Sequence, residues 1–267
     1  TIEILRTRAK PLGINIIVDK IDNIFSYETF GCIFQYPGGY GELLSLEQYT
    51  KISSFIHQHN GLVVVAADLL ALTLLEPPSS FEADIVVGNS QRFGVPIGFG
   101  GPHAGYLATK DALKRNMPGR LVGVSLDSHG NHAYRLALQT REQHIRREKA
   151  TSNICTAQVL LAIIAGMYAT YHGPEGLRNI ANRTHNLTSL LANSLTASGY
   201  DLFNTNWFDT ITIKTSKASE IFNKALQSKI NLRLISDEFI SFAFDETTTY
   251  SDVEKLASIF NVHLKQY

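Results

Sequence analysis

The sequence predicts an α/β fold whose larger part contains a parallel or mixed sheet, followed by a smaller α+β part. Apolar runs without alternation, such as Leu62 to Ala67 and Ile85 to Val87, are typical of strands buried on both faces. A helix is predicted between an earlier apolar run and Leu62 to Ala67, and this strand–helix–strand order favours parallel pairing. Near the carboxyl end the chain changes to short elements in βαββα order. We therefore predict a partial large domain with connecting helices over residues 1–197 and a small domain over residues 198–267.

Composition excludes several classes of protein. The chain has 267 residues, of which 44% are hydrophobic and 18% charged, a balance that allows a full core and argues against disorder. Lys and Arg number 24, as do Asp and Glu, so no net field recruits nucleic acid or anionic lipid. The two cysteines, Cys32 and Cys155, show no metal-ligand spacing. We expect no bound metal, no nucleic-acid partner and no membrane partner.

Helix and strand signals follow one another through the first third of the chain. A helix is predicted over residues 1–10, ended by Pro11-Leu12-Gly13, and Ser45 with Gln48 forms a capping box before a helix over residues 46–59. Strands are predicted in five apolar stretches: residues 14–18, 30–34, 62–67, 85–87 and 106–108.

The later elements are marked by turn residues and helical spacing. Residues 121–125 and 134–138 flank a polar turn and predict a hairpin. A helix from near Cys155 carries an apolar face broad enough for burial, and Gly173-Pro174 restarts it before it ends near Ala197. In the small domain we predict strands over residues 208–214, 231–235 and 239–244, a helix over 217–228, and a last helix capped at Ser251 to Glu254.

A glycine-rich segment, Gly88 to Gly105, follows a predicted strand directly. Its glycines permit positive φ and close backbone approach, which suits a loop around an anion, a cofactor or a neighbouring chain. The segment contains neither the dinucleotide-binding nor the P-loop pattern. A tight turn under packing constraint explains the same residues, and the sequence leaves both interpretations open.

A basic segment over residues 139–153 precedes the long predicted helix. Its three arginines, Lys149 and hydroxyl side chains could hold a phosphate or carboxylate at the helix N-terminus, whereas the interleaved Glu142 and Glu148 suit a solvated connector. His103 and His144 are candidate general bases without a recognisable partner constellation.

Asp68 follows a buried apolar strand, a position where α/β enzymes place a working carboxylate and where a helix cap is equally expected.

These segments resemble one known family. The stretch GNSQRFGVPIGFGGPHAG over residues 88–105, with RLALQTREQHIRR over 135–147 and KATSNICT over 149–156, closely resembles glycine decarboxylase, the P-protein of the glycine cleavage system. The resemblance runs from about residue 1 to 260. It implies an aspartate-aminotransferase-like type I pyridoxal phosphate fold, with an incomplete large domain holding a mostly parallel sheet and a small α+β domain.

The resemblance also implies which part of the family this chain is. The family consists of two homologous halves, fused or separate, and only the C-terminal half carries the lysine that forms the Schiff base. This chain resembles the N-terminal half, truncated at its N-terminus. The register of Phe93, Pro96 and Pro102 places Gln91 at the lysine position, and an amide cannot condense with an aldehyde. Asp68 lies a few residues out of register with the family's pyridine-binding aspartate.

The family's chemistry then sets the expectations for function. Glycine condenses with pyridoxal phosphate held by the partner half, loses CO₂, and passes its aminomethyl group to the lipoyl arm of the H-protein. We expect no catalytic residue and no covalent cofactor in this chain, and no activity of the chain alone. Thr151, Ser152 and Asn153 resemble a turn that reaches a neighbour's cofactor phosphate, and capping is their alternative role. The expected compartment is the bacterial cytoplasm or the mitochondrial matrix.

Two other functions remain open at this point. The chain could be an assembly module that never contacts the cofactor. It could also be an independent enzyme in which His103 or His144 acts as a base on a small anion.

Overall fold

The structure is a computed structural model with two main sheets, a separate hairpin and one long helix. The described residues are 1–118, 121–138, 145, 147–149 and 158–265. Within them, none of the helices combines the length and apolar character needed to span a bilayer.

The first sheet has four strands in the order β1-β2-β3-β4. The first three strands are parallel and the fourth is antiparallel to its neighbour, so the predicted mixed α/β layer is confirmed. The strands are β1 (Gly31–Tyr36), β2 (Leu62–Ala67), β3 (Ile85–Asn89) and β4 (Gly105–Thr109). A short helix, α1 (Ile2–Ala9), precedes the sheet as predicted.

Helix α2 (Leu46–Gln58) makes the crossover from β1 to β2. Its capping box forms as predicted: Ser45 Oγ accepts the backbone N–H of Gln48, and the Gln48 side chain accepts the N–H of Ser45. The buried face of α2 carries Tyr49, which stacks on Phe81 with ring centroids 4.8 Å apart. This face and the apolar side of the first sheet form one core.

The second sheet is antiparallel, in the order β7-β8-β10-β9. Helices α4 (Ala218–Gln227) and α5 (Tyr250–Ile259) pack against it, and the C-terminal part of the long helix α3 (Val159–Ala197) adds Leu191 and Leu195 to the same core. The strands are β7 (Asp201–Leu202), β8 (Thr210–Lys214), β9 (Arg233–Ser236) and β10 (Phe239–Ala243). The domain division at residues 197 and 198 stays a prediction.

Helix α3 (Val159–Ala197) links the two sheets. Gly173 has φ 64° and ψ 178°, which interrupts the helix, and Pro174 restarts it as predicted. The predicted hairpin is also present, formed by β5 (Leu121–Leu126) and β6 (His132–Leu138).

Two sequence predictions about elements were wrong. Residues 14–18 form no strand in the structure, because no neighbouring strand pairs with this apolar stretch. The last helix is capped by Thr249 rather than from Ser251: Thr249 and Asp252 form the capping box, so the cap lies two residues earlier than predicted. The two-residue strand β7 was not predicted, since two residues carry no periodicity.

Asp84 ties together the amino-terminal side of the first sheet. Its buried carboxylate accepts the backbone N–H of Val63 at 2.8 Å and the Nζ of Lys110 at 2.7 Å, and lies 2.8 Å from Nε2 of His57. Burial raises the pKa of Asp84, but the bonds from Lys110, Val63 and His57 outweigh burial and leave it below its ordinary value of 3.8.

This network generates a pH-dependent stability prediction. Because the folded pKa of Asp84 is depressed, its stabilisation is present above the unfolded pKa and is lost as pH falls through the folded pKa. We expect Asp84→Asn to lower the free energy of unfolding by about 2 kcal/mol at pH 7 and by much less once the pH falls below the folded pKa of Asp84. Urea unfolding of the chain, followed by circular dichroism, measures the difference.

The matched control is Asp111→Asn, which removes a carboxylate paired with Lys114 at an exposed position. We expect this variant to change stability by less than about 0.5 kcal/mol. An equal loss in both variants, or a loss for Asp84→Asn that does not depend on pH, would contradict the network's role.

Candidate functional site

The candidate site lies where the parallel strands of the first sheet end. Asp68 follows β2 directly, and the glycine-rich segment that contains Gln91 and Arg92 follows β3. Open α/β sheets bind their ligands outside the carboxyl ends of the strands, so this edge is where a ligand is expected.

Arg92 occupies the centre of this edge. Its Nη1 donates to Oδ2 of Asp68 at 2.7 Å and to Oδ2 of Asp209, and its Nε lies 3.3 Å from Oε2 of Glu246. The guanidinium also lies over the ring of Phe208, 5.5 Å from its centroid. Only 14% of the Arg92 side chain is exposed. These five side chains, Asp68, Arg92, Phe208, Asp209 and Glu246, are called the Arg92 cluster below.

The charges of the Arg92 cluster do not balance, since three carboxyl groups surround one guanidinium. Burial lowers the pKa of Arg92, but Asp68 and Asp209 outweigh it and the net pKa is raised, so Arg92 stays charged. Burial raises the pKa of Asp209, and the nearby Asp68 adds to this effect against the attraction of Arg92. At this edge of the sheet, carboxyl groups therefore outnumber the one buried cation.

Asp68 combines two structural tasks. Its Oδ1 accepts the backbone N–H groups of Leu70 at 2.8 Å and Ala71 at 3.0 Å, while Oδ2 accepts from Arg92. Asp68 therefore binds the backbone of the turn that follows β2, as a capping residue does, and each of its oxygens accepts at least one hydrogen bond. Beside it, the Tyr106 hydroxyl donates to the carbonyl of Ala67 at 2.8 Å. Burial, with a smaller effect from Asp68, raises the pKa of Tyr106 to about 12.

Gln91 binds its own loop. Its side-chain Nε2 donates to the carbonyl of Val95 at 2.6 Å, and its backbone N–H donates to Asn89 Oδ1 at 3.0 Å. Gly94, at φ 84°, leaves no room for a side chain, because a Cβ there would lie 2.7 Å from the ring of Tyr168. The glycine-rich segment is thus tightly packed at its start.

The tip of the same segment is exposed. Gly98, Phe99, Gly100 and Gly101 all have positive φ, and the Phe99 side chain is fully in solvent. An exposed aromatic ring at the tip of a loop suits contact with a neighbouring part of a larger protein.

The remaining sequence candidates are not assembled into a site. His103 is half-buried, and its Nδ1 has no hydrogen-bond partner among the described residues. His144, Thr151, Ser152 and Asn153 lie outside the described residues. In the described part of the chain, no group of three or more His, Cys, Asp or Glu side chains has the geometry to hold a metal ion.

Pyridoxal phosphate, which the resemblance implies, does not fit the described residues at this edge. An internal aldimine needs a lysine amine, and the loop offers the Gln91 amide, already bonded to Val95. A pyridinium nitrogen needs a carboxylate that faces it, and the Asp68 carboxylate is already bound to Arg92 and to the backbone that follows β2. A phosphate would face the excess of carboxyl groups in the Arg92 cluster.

A second feature is a broad apolar surface. On α3, Val159, Leu160, Ile163 and Met167 are 50–64% exposed, so the predicted burial of this helix face is wrong for the chain by itself. Strand β5 turns a run of apolar side chains to solvent. The open apolar face, as we call it, consists of the α3 side chains Val159, Leu160, Ile163, Met167 and Tyr171. The hairpin separately exposes Val122, Val124, Leu126 and Tyr134.

Local sequence signals do not mark Phe208, Asp209, Glu246 or Tyr106 as members of the site. Asp209 and Glu246 are 117 and 154 residues from Arg92 in sequence, and no local pattern indicates that either pairs with it. Tyr106 was assigned only to a strand. Arg92 stood within the glycine-rich segment, but its pairing could not be inferred without the topology that brings the second sheet beside it.

Comparison with known proteins assigns the family. Residues 1–260 match the family model described as glycine cleavage system P-protein. The chain is 54% identical over 263 residues to "Glycine dehydrogenase (decarboxylating)" of Vibrio cholerae serotype O1, covering 98% of the chain and 27% of that protein. The chain thus spans about a quarter of the length of this curated relative.

Solved structures agree. A glycine decarboxylase (P-protein) of the glycine cleavage system, in inhibitor-bound form, matches with a TM-score of 0.74 and 35% identity over 86% of the chain and 54% of that structure. Aspartate aminotransferase from Thermus thermophilus with maleate matches with a TM-score of 0.57 and 14% identity over 91% of the chain and 60% of that structure, a likeness of fold alone. The fold is that of type I pyridoxal phosphate enzymes, as the resemblance implied. The chain belongs to the glycine cleavage system P-protein family.

Proposed function

We propose that this chain is the N-terminal, non-lysine half of glycine decarboxylase. In this account it supports the pyridoxal phosphate-dependent decarboxylation of glycine, while the partner half, fused or separate, binds the cofactor. The aminomethyl group then passes to the lipoyl group of the H-protein. The family match supports the proposal, and so does the relatives' greater length.

The observation that carries the proposal is the open apolar face. Apolar side chains on α3 that are half or more exposed are unfavourable in water and mark a surface that another protein part covers. The exposed apolar side chains of β5 extend the same argument to the hairpin. The exposed Phe99 extends the same argument to the glycine-rich segment. The chain covers 27% of its curated relative, so we propose that the remainder of the P-protein covers this face.

The chemistry of the Arg92 cluster supports the same division of labour. A sheet edge whose lysine position holds Gln91, and whose Asp68 is bound to Arg92, offers no covalent attachment for the cofactor. The chain's own contribution is therefore to shape and cover the partner's site.

An assembly role without cofactor contact is the second candidate, and it needs the same open apolar face. The two candidates differ at Thr151, Ser152 and Asn153. In our first proposal these residues contact the phosphate of the cofactor in the partner half, whereas the assembly role includes no such contact. An independent enzyme using His103 or His144 gains no support from the described residues, where His103 has no hydrogen-bonded partner at Nδ1.

The open apolar face yields the main test of this proposal. Ile163→Asp in the complete protein would bury a charge where an apolar side chain meets the partner part. We expect glycine decarboxylation with lipoylated H-protein to fall at least about tenfold, together with the retention of pyridoxal phosphate. Activity and cofactor content by absorbance are the measurements.

Ser54→Asp, at an exposed position on α2, adds the same charge away from the face and serves as the control. We expect it to keep activity within about twofold, because isolated surface substitutions have small effects. Wild-type activity and cofactor content in Ile163→Asp would refute coverage of this face.

The phosphate contact has its own test. Thr151→Val in the complete protein removes one hydroxyl donor and keeps the shape of the side chain. We expect the dissociation constant of pyridoxal phosphate to rise about tenfold, the cost of one hydrogen bond to a charged group. Thr170→Val, which removes a hydroxyl bonded to the Gly166 carbonyl within α3, should leave it unchanged. Unchanged affinity in Thr151→Val favours the assembly role instead.

A further inference from the structure

The two sheets of the chain meet at a third, smaller core. Leu70 and Phe93 come from the first sheet's carboxyl edge, Phe208 comes from the segment before β8, and Ala165 and Ala181 come from α3. Phe208 is 1% exposed and lies beneath the Arg92 guanidinium. Apolar packing at this junction brings the sheets together but specifies no angle, because hydrophobic attraction is not directional.

Directional contacts at the junction come from Arg92. Its guanidinium binds Asp68 on the first sheet and Asp209 and Glu246 on the second, so one rigid planar group joins both. The second-sheet side is itself held in place, since Arg183 of α3 donates to the carbonyls of Glu246 at 3.1 Å and Thr248 at 2.7 Å.

A second attachment lies at the end of β1. The carbonyl of Tyr40 accepts from Asn204 Nδ2 at 2.8 Å and from Thr212 Oγ1 at 2.9 Å, and Arg233 donates to the carbonyl of Gly39. Gly41, at φ 81°, lies so close to β8 that a Cβ would be 2.2 Å from the Thr210 carbonyl oxygen. We call residues 37–42 the Tyr40 loop.

We propose that Arg92 is a clamp that fixes the second sheet against the carboxyl edge of the first, with the Tyr40 loop as its second anchor. Attachments at the ends of two different strands, β1 and β3, restrict rotation as well as separation.

The energetics favour a clamp over simple packing. An apolar side chain at position 92 would leave three carboxyl groups facing one another, with Asp209 only 11% exposed. Removing one partner from a buried charge network costs far more than the intact network contributes.

Hydrogen–deuterium exchange in the complete protein tests the clamp. In Arg92→Met we expect amides of the Tyr40 loop and of residues 244–248 to exchange at least about tenfold faster, because the sheets part. Amides paired inside each sheet, at Val64–Ala66 and Ile211–Ile213, should keep their wild-type rates.

The control is Lys114→Met, which removes an exposed ion pair with Asp111 and should change neither region. If Arg92→Met is insoluble, Glu246→Gln gives the same comparison, and we expect the same regional pattern with a smaller increase. Unchanged exchange at the Tyr40 loop overturns the clamp, and so does an equal rise in the sheet interiors. Neither outcome bears on the proposed function, since the readout is independent of cofactor and activity.

Discussion

The arrangement of this chain depends on one buried cation among three carboxyl groups. Arg92 draws Asp68 from the first sheet and Asp209 and Glu246 from the second onto one guanidinium. Each acid by itself would be costly at its depth, and the pKa of Asp209 is raised by that burial. The complete network therefore adds only modestly to the free energy of unfolding, whereas removing one of its charged members lowers that free energy strongly. The third core and the Tyr40 loop depend on the orientation that it fixes.

Local sequence signals predicted most of the elements. The Ser45 and Gln48 capping box, the break at Gly173 and Pro174, and the strand at Leu62–Ala67 all arise from interactions within a few residues. The stretch at residues 14–18 has the same apolar character but is no strand, because strands need a partner that sequence alone does not provide. Asp209 and Glu246 were missed for a related reason: their partner is more than 100 residues away.

The open apolar face shows how a correct pattern can lead to a wrong expectation. The helical spacing of Val159, Leu160 and Ile163 predicted burial, and the helix forms, yet these side chains are half or more exposed. The helical spacing of apolar residues indicates that a helix face is covered, but not which part of the protein covers it. Since the chain spans about a quarter of its curated relatives, burial by the missing part is consistent with both observations.

The Arg92 cluster at the sheet edge and the open apolar face lead to one claim: this chain supports a cofactor that is held elsewhere. The most direct measurement is borohydride reduction of the complete, pyridoxal phosphate-loaded protein, followed by peptide mapping of the pyridoxyl-lysine. The account predicts one specific adduct, on a lysine outside residues 1–267. A specific adduct on a lysine within residues 1–267 would contradict it.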